Sequence, residues 1–395
     1  MIPVFAIPKT MRAVVYRGVS DLRLETVPVP RIGANELLVQ VAVCGVCPTD
    51  IKKIQHGTVP PPRIFGHETA GTIVKLGTGS QAQGFKIGDR VALHHHVPCL
   101  DCHFCRHRAF AQCATYKRTG VTAGFEPAGG GYAEYVRVLP FVLPGVVKIP
   151  PRNNFEEGAM LEPVNTVLKA VRRLNLLRGD VVLVAGQGPI GLMFTRLLQL
   201  AGARVLATDL LEARLRLARK FGARWTRLVE SRESRVESRK TSATLDAEKA
   251  LVSRPSSLDA AIIAVPSDAT VYEALQLVRG GGQVLPFAHT ERAVQHGRAD
   301  LLVGQDARQR VPTALDPRPS SLDLASICLD EKDLIGSYSS DFTLQAEVAR
   351  LVFSRRLDVR RLITHHFPLA ETAKAVALAA QPASDSLKVM VRADS

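Results

Sequence analysis

The pattern of apolar and polar positions divides the chain into two textures. From residue 11 to residue 150, short runs rich in Val, Ile and Leu alternate with Gly and Pro breaks, as in LLVQVAVCGV, AGTIVKLG, KIGDRVAL and GGYAEYVRV. This predicts a turn-rich β domain. Near residue 160 the period changes, and LEPVNTVLKAVRRLNL carries apolar residues at helical spacing. Beyond it, the buried-strand runs VVLVAG, RVLATDL, LDAAIIAV and GGQVLPFA alternate with the helical stretches PIGLMFTRLLQLAG, EARLRLARKFG and TVYEALQLVRG. That alternation predicts an α/β unit whose parallel sheet is covered on both faces. DLIGSYS reads as the last strand of that sheet, residues 341–380 as helices, and SLKVMVRA as a closing strand. Two segments break the pattern. Residues 230–256 are polar and charged and read as one amphipathic helix with loose ends. Residues 289–322 are arginine-rich and aperiodic, which fits a surface insertion, an interface arm or a locally disordered stretch.

At 395 residues the chain is long enough for two or three domains. No apolar run reaches the ~18 residues of a membrane span. The opening MIPVFAIPKT is too short for a signal peptide, and Met11 offers a second start that makes residues 1–10 an extension. The expectation is a cytoplasmic protein that does not enter a membrane. The net charge of +14 raises nucleic acid as a partner. However, the excess arginine is scattered, and neither SRESRVESRK nor ARQRVPTALDPRPSS interleaves aromatic rings for base stacking. Nucleic-acid binding is therefore not expected as the main function.

Four of the seven cysteines are crowded: Cys99, Cys102, Cys105 and Cys113. In a reducing compartment this spacing favours metal over disulfides. Gaps of two residues let successive thiolates turn toward one point, and four thiolates suit tetrahedral zinc with no open position. An iron–sulfur cluster is the competing reading, because spacing alone does not separate the metals.

In VVLVAGQGPIGLMF, Gly186, Gly188 and Gly191 form G-x-G-x-x-G, with Pro189 and Ile190 between the last two. The motif follows a strand run and opens a helix, the context a dinucleotide site requires. The first glycine permits a tight turn, the second lets a pyrophosphate approach, and the third lets helix and strand pack closely. Asp209 closes the next strand, where a carboxylate binds ribose hydroxyls and repels a 2′-phosphate, favouring NAD over NADP. Arg214 lies five residues on and would soften that preference.

Upstream, Cys47-Pro48-Thr49-Asp50 follows a strand, Gly66-His67-Glu68 comes next, and Glu162 precedes the dinucleotide unit. A thiolate, an imidazole and one or two carboxylates are a donor set for catalytic zinc, which keeps a position open for substrate.

With these motifs assembled, the chain resembles the zinc-dependent medium-chain dehydrogenases, the alcohol and polyol dehydrogenase superfamily. The matches are CGVCPTD, GHETAG, the cysteine lobe, GDRV, GGYAEY, LEPVNT, GQGPIG with Asp209, and RLITHHFPLAE. They span residues 11–395 apart from 289–322, and Glu162-Pro163 points to the sorbitol and threonine dehydrogenase branch. The resemblance implies a Rossmann doubly wound sheet at 165–340. It implies a mostly β, GroES-like catalytic domain at 1–164 and 341–395, carrying the lobe at 99–113. It implies NAD, two zinc ions per chain, and a small secondary alcohol and its ketone as substrates. A homodimer, or a homotetramer of two dimers, is expected.

By position, Cys47 and His67 are implied zinc ligands, and Glu162 and Glu68 compete for the remaining place, Glu162 being preferred. Thr49 is implied as a proton relay, Asp50 as the group orienting His67, and Thr166 as a neighbour of the nicotinamide. The family often has a histidine five residues after the ligand cysteine. Here that position is Lys52, and His56 is out of register. Two alternatives remain: a primary-alcohol or aldehyde dehydrogenase of the same family, and a non-catalytic zinc-stabilised binder. The binder would have lost Cys47, His67 or Thr49, and all three are present.

Overall fold

The computed structural model describes residues 6–79, 84–94, 97–119, 129–229, 257–288 and 324–393. Both aperiodic segments, 230–256 and 289–322, lie outside the described residues. The first strands are β1 (Thr10–Gly18), β2 (Asp21–Pro28), β3 (Leu37–Gly45), β4 (Arg63–Ile64), β5 (Glu68–Leu76), β6 (Arg90–Leu93), β7 (Tyr135–Val138) and β8 (Val147–Lys148). Six more follow: β9 (Val181–Ala185), β10 (Arg204–Asp209), β11 (Trp225–Leu228), β12 (Leu258–Ile263), β13 (Val278–Pro286) and β14 (Asp333–Leu334). β15 (Ile363–Pro368) and β16 (Lys388–Arg392) end the chain.

The first group builds two sheets. One is three-stranded, in the order β2-β1-β4. The other runs β15-β16-β3-β5-β6-β8, with β7 pairing β3 off that path. It is antiparallel except where β15 lies parallel to β16. Because β15 and β16 come from the far end of the chain, the C-terminus is stitched to β3, beside the residues that open the first helix.

The second group is a six-stranded sheet in the order β11-β10-β9-β12-β13-β14, and every pairing in it is parallel. Numbered from β9, this is the order 3-2-1-4-5-6, with the switch point between β9 and β12, where open α/β sheets bind dinucleotides. All five residues of β9 are buried. Val182 and Val184 enter one core with the helices Leu161–Val171 and Pro189–Leu200. Val181, Leu183 and Ala185 enter another with Ala274 and Leu275 of the helix Asp268–Leu277. A strand's side chains alternate between faces, so two covered faces require the unbroken apolar run that the sequence shows.

Three expectations need correction. DLIGSYS contributes only Asp333 and Leu334 to the ladder. Beyond Ile335 the chain leaves the sheet, and its serines are engaged elsewhere: Ser339 meets the Tyr116 hydroxyl, and Ser340 meets His94 Nε2 at 3.2 Å. Residues 341–380 are not all helical, because ITHHFP pairs with β16 as β15. Trp225–Leu228 extends the parallel sheet past β10, an additional strand that periodicity did not mark. No helix among the described residues is long and apolar enough to cross a membrane.

Candidate active site and metal centres

Ladder register brings the catalytic candidates together. Gly45 pairs with Glu68 across β3 and β5, so Cys47 and His67 leave the same end of that ladder. Met390 pairs with Gly45 on the other side of β3, which sets Lys388 level with Cys47. Cys47 is the N-cap of the helix Pro48–His56, and its Sγ accepts the Thr49 N–H at 3.4 Å. Pro48 suits the first helical position, where no N–H is needed, and Gly57 ends the helix in the left-handed region at φ 62°. Thr49 and Asp50 thus sit in the first turn, beside the cap.

Asp50 is fully buried. Its Oδ2 accepts the Gly66 N–H at 3.2 Å and lies 3.1 Å from His67 Nδ1. That contact orients the ring, with Nδ1 on the Asp50 side and Nε2 as the nitrogen a metal would take. The Cys47 thiol is within hydrogen-bonding reach of the same imidazole. Burial opposes a charged His67, but Asp50 and Cys47 outweigh it and hold its pKa well above the usual range. Cys44, by contrast, is a strand residue of β3 held by the Thr69 hydroxyl, and burial pushes its thiol up to about 12.

The two carboxylates differ. Lys388 Nζ contacts both oxygens of buried Glu68, donating to Oε1 at 2.6 Å and also to the Val46 carbonyl at 2.9 Å. Glu162 is buried in the first turn of the helix Leu161–Val171, near enough that its charge acts on Glu68 and Lys388. Thr166, one turn on, donates back to the Glu162 carbonyl at 3.2 Å. Lys388 is the residue sequence reading missed; its only signal was a buried cation opening the apolar run of β16. Removing it strands a buried carboxylate, so Lys388→Met is expected to cost about 3–5 kcal/mol. The pair Glu68→Gln with Lys388→Met should recover much of that loss in urea unfolding.

In the lobe, Cys99, Cys102, Cys105 and Cys113 place all four sulfurs within 4.8 Å of one another. Three sulfur separations are 3.5, 3.6 and 3.9 Å. A tetrahedron of thiolates at ~2.3 Å from zinc has edges of about 3.8 Å, so the lobe fits structural zinc. Burial opposes the Cys113 thiolate, but N–H groups of Cys99, Tyr116 and Thr115 bring its pKa down to about 6. Among the described residues this is the one group of three or more such donors closed to that distance. Cys47, His67 and the carboxylates form a more open set, and their donor chemistry fits a catalytic zinc that keeps a position for substrate.

The dinucleotide residues lie at the switch point. Gly186 turns at φ 90°, where a side chain would also strike Val265. A Cβ on Gly191 would meet the Gly186 carbonyl at 1.8 Å, whereas one on Gly188 would point into open space. That opening is the approach a pyrophosphate needs. Gly188 caps the helix Pro189–Leu200 with no side-chain bond, leaving first-turn N–H groups, Ile190 and Gly191 among them, for an anion. Asp209 closes β10 and braces the loop, accepting from Gln187 N at 2.6 Å and Leu211 N at 2.9 Å. Arg214 Nη1 is 4.0 Å from the same carboxylate.

Known proteins resemble the chain in sequence and in fold. Residues 33–151 match the alcohol dehydrogenase GroES-like domain, and residues 189–307 match the zinc-binding dehydrogenase domain. Sorbitol dehydrogenase of Bacillus subtilis (strain 168) is 28% identical over 392 residues, covering 98% of each chain. A zinc-binding dehydrogenase from Sinorhizobium meliloti 1021, solved with NADP, superposes with a TM-score of 0.77 at 25% identity, covering 98% of this chain and 100% of that one. Acetophenone reductase of Geotrichum candidum NBRC 4597, solved with NAD, shares the fold with a TM-score of 0.77 at 22% identity, covering 98% and 99%. The chain belongs to the zinc-dependent medium-chain dehydrogenases, in the branch that holds the sorbitol dehydrogenases.

Proposed function

We propose that the protein interconverts a secondary alcohol, of the polyol, sugar or amino-alcohol class, and its ketone. The observation that carries this reading is the register that sets Cys47 and the Asp50–His67 pair at one ladder end, where Lys388 engages Glu68 and the charge of Glu162 acts on both. When bound, zinc supplies Lewis-acid polarisation of the alcohol oxygen, and NAD supplies the hydride acceptor. Cys47, His67 and Glu162 would hold the zinc. Glu68 stays with Lys388 behind them, so Glu162 has the better claim to the third place. Asp50 holds the His67 ring, and Thr49 takes the substrate hydroxyl proton. The catalytic domain is residues 1–164 and 341–395, and the coenzyme domain is 165–340. A cytoplasmic setting suits the lobe, because it keeps four thiols reduced. A panel of polyols, sugars, amino alcohols and primary alcohols, scored by NADH absorbance, tests the reading. Turnover confined to primary alcohols would overturn it.

Asp209 supports NAD over NADP. Both of its oxygens are fixed by backbone N–H groups, so the carboxylate cannot swing away from a 2′-phosphate. NAD is expected to exceed NADP at least about tenfold in kcat/KM, or ~1.4 kcal/mol. Asp209→Ala should narrow the ratio, and a preference for NADP in the unaltered protein would show that Arg214 dominates.

An exposed sheet edge supports a homodimer or a homotetramer. Among the described residues β14 is the last strand of the parallel sheet, and Leu324, Leu329, Leu334 and Tyr338 near it are exposed. An unpaired edge with apolar neighbours invites pairing across a two-fold axis. Light scattering at micromolar concentration should give a dimer or tetramer, and a monomer alone would refute the assignment.

A further inference from the structure

A second concavity lies away from the ladder end and the glycine loop. It has a volume of about 890 Å³ and shares no lining residue with either. Its wall carries Lys148, Arg152, Arg172, Arg350 and Arg356 against a single carboxylate, Glu347. Glu347 is already spent on Arg172 at 2.5 Å, and Lys148 is held by Asp89 at 2.8 Å. Arg152 donates to the Phe353 carbonyl at 3.3 Å, which fixes its direction without neutralising it. Arg350 and Arg356 are exposed and have no acidic partner among the described residues.

Three chain segments deliver these cations to one place. Arg172 follows the helix Leu161–Val171, Arg350 lies on the helix Gln345–Phe353 with Arg356 just beyond it, and Lys148 and Arg152 flank the end of β8. Like charges so gathered repel one another, and among the described residues no carboxylate relieves Arg152, Arg350 and Arg356. An external anion relieves them, and guanidinium groups grip phosphate through paired N–H donors. The volume is in the small-molecule range of ~300–1,000 Å³, not that of a polymer groove.

We propose that this cleft binds a small anion bearing two or more phosphate groups, separately from the coenzyme. Inorganic tripolyphosphate is the probe, titrated calorimetrically into protein saturated with NADH so that the dinucleotide crevice is filled. NADH binding is followed independently by its fluorescence, so failure of the coenzyme reading is distinguishable. One saturable site per chain is expected. The double variant Arg350→Glu with Arg356→Glu should weaken it at least about tenfold, while Arg23→Glu, on a different sheet, should leave it unchanged. Citrate, a carboxylate trianion, should bind at least about tenfold more weakly than tripolyphosphate. Unsaturable binding, binding that survives the double variant, or equal affinity for citrate would each overturn the proposal.

Discussion

Cys47→Ser is expected to leave one zinc ion per chain where the unaltered protein holds two, and to lower kcat/KM at least about a thousandfold, or ~4 kcal/mol. The reasoning begins with position. Cys47 is a helix N-cap at the end of β3, beside the imidazole that Asp50 orients. A thiolate there is a strong zinc donor, and a serine hydroxyl is a poor one at neutral pH. The cysteine lobe is a separate cluster with its own four donors, so its metal should remain. Cys44→Ala is the matched control: that thiol is buried within the strand, three residues away, and held by the Thr69 hydroxyl. It should keep both ions. Cys113→Ser should do the reverse of Cys47→Ser, losing the lobe metal and unfolding the loop. Elemental analysis of all three variants after metal-replete expression decides the matter. Two ions retained by Cys47→Ser would remove that residue from the site.

Much of this arrangement was legible in the sequence, because some signals are local. The unbroken apolar run of β9 and the glycines after it announce a doubly covered parallel strand and its phosphate turn in fewer than twenty residues. The four cysteines announce their lobe for the same reason. What stayed hidden depends on partners far away along the chain. The Lys388–Glu68 pair joins residues 320 positions apart, and only the pairing of β16 with β3 makes them neighbours. Glu162 was already preferred to Glu68 as a proposed ligand, and that unseen cation adds a reason. ITHHFP alternates too weakly to read as a strand by itself, and its partner β16 defines it. DLIGSYS failed in the opposite sense. Its apolar start suggested a full strand, but Gly336 loosens the backbone, and Tyr116 and His94 hold Ser339 and Ser340 away from the sheet.

Thr49→Val should lower kcat at least about a hundredfold, within the ~10²–10⁴ range of a lost acid–base step, while leaving zinc content unchanged. Oxidation of an alcohol removes a hydroxyl proton as well as a hydride, and that proton needs an acceptor. Thr49 is two residues from Cys47 in the same first turn and is only partly buried, so it spans the distance between the ligand cluster and solvent. A hydroxyl accepts one hydrogen bond while donating another, and so passes a proton without holding charge. Valine keeps the shape and removes that capacity. Thr49→Ser keeps the capacity and should keep most of the activity. The Thr49 backbone N–H, which donates to Cys47 Sγ, is untouched by either change, so the metal donors keep their geometry. Lys52 stands one turn further along the same helix. A lysine ammonium donates hydrogen bonds and offers no acceptor for a proton, so Lys52→Met should have a much smaller effect. Single-turnover measurements on the three variants separate proton transfer from product release. A crippled Lys52→Met beside an active Thr49→Val would reassign the proton's path.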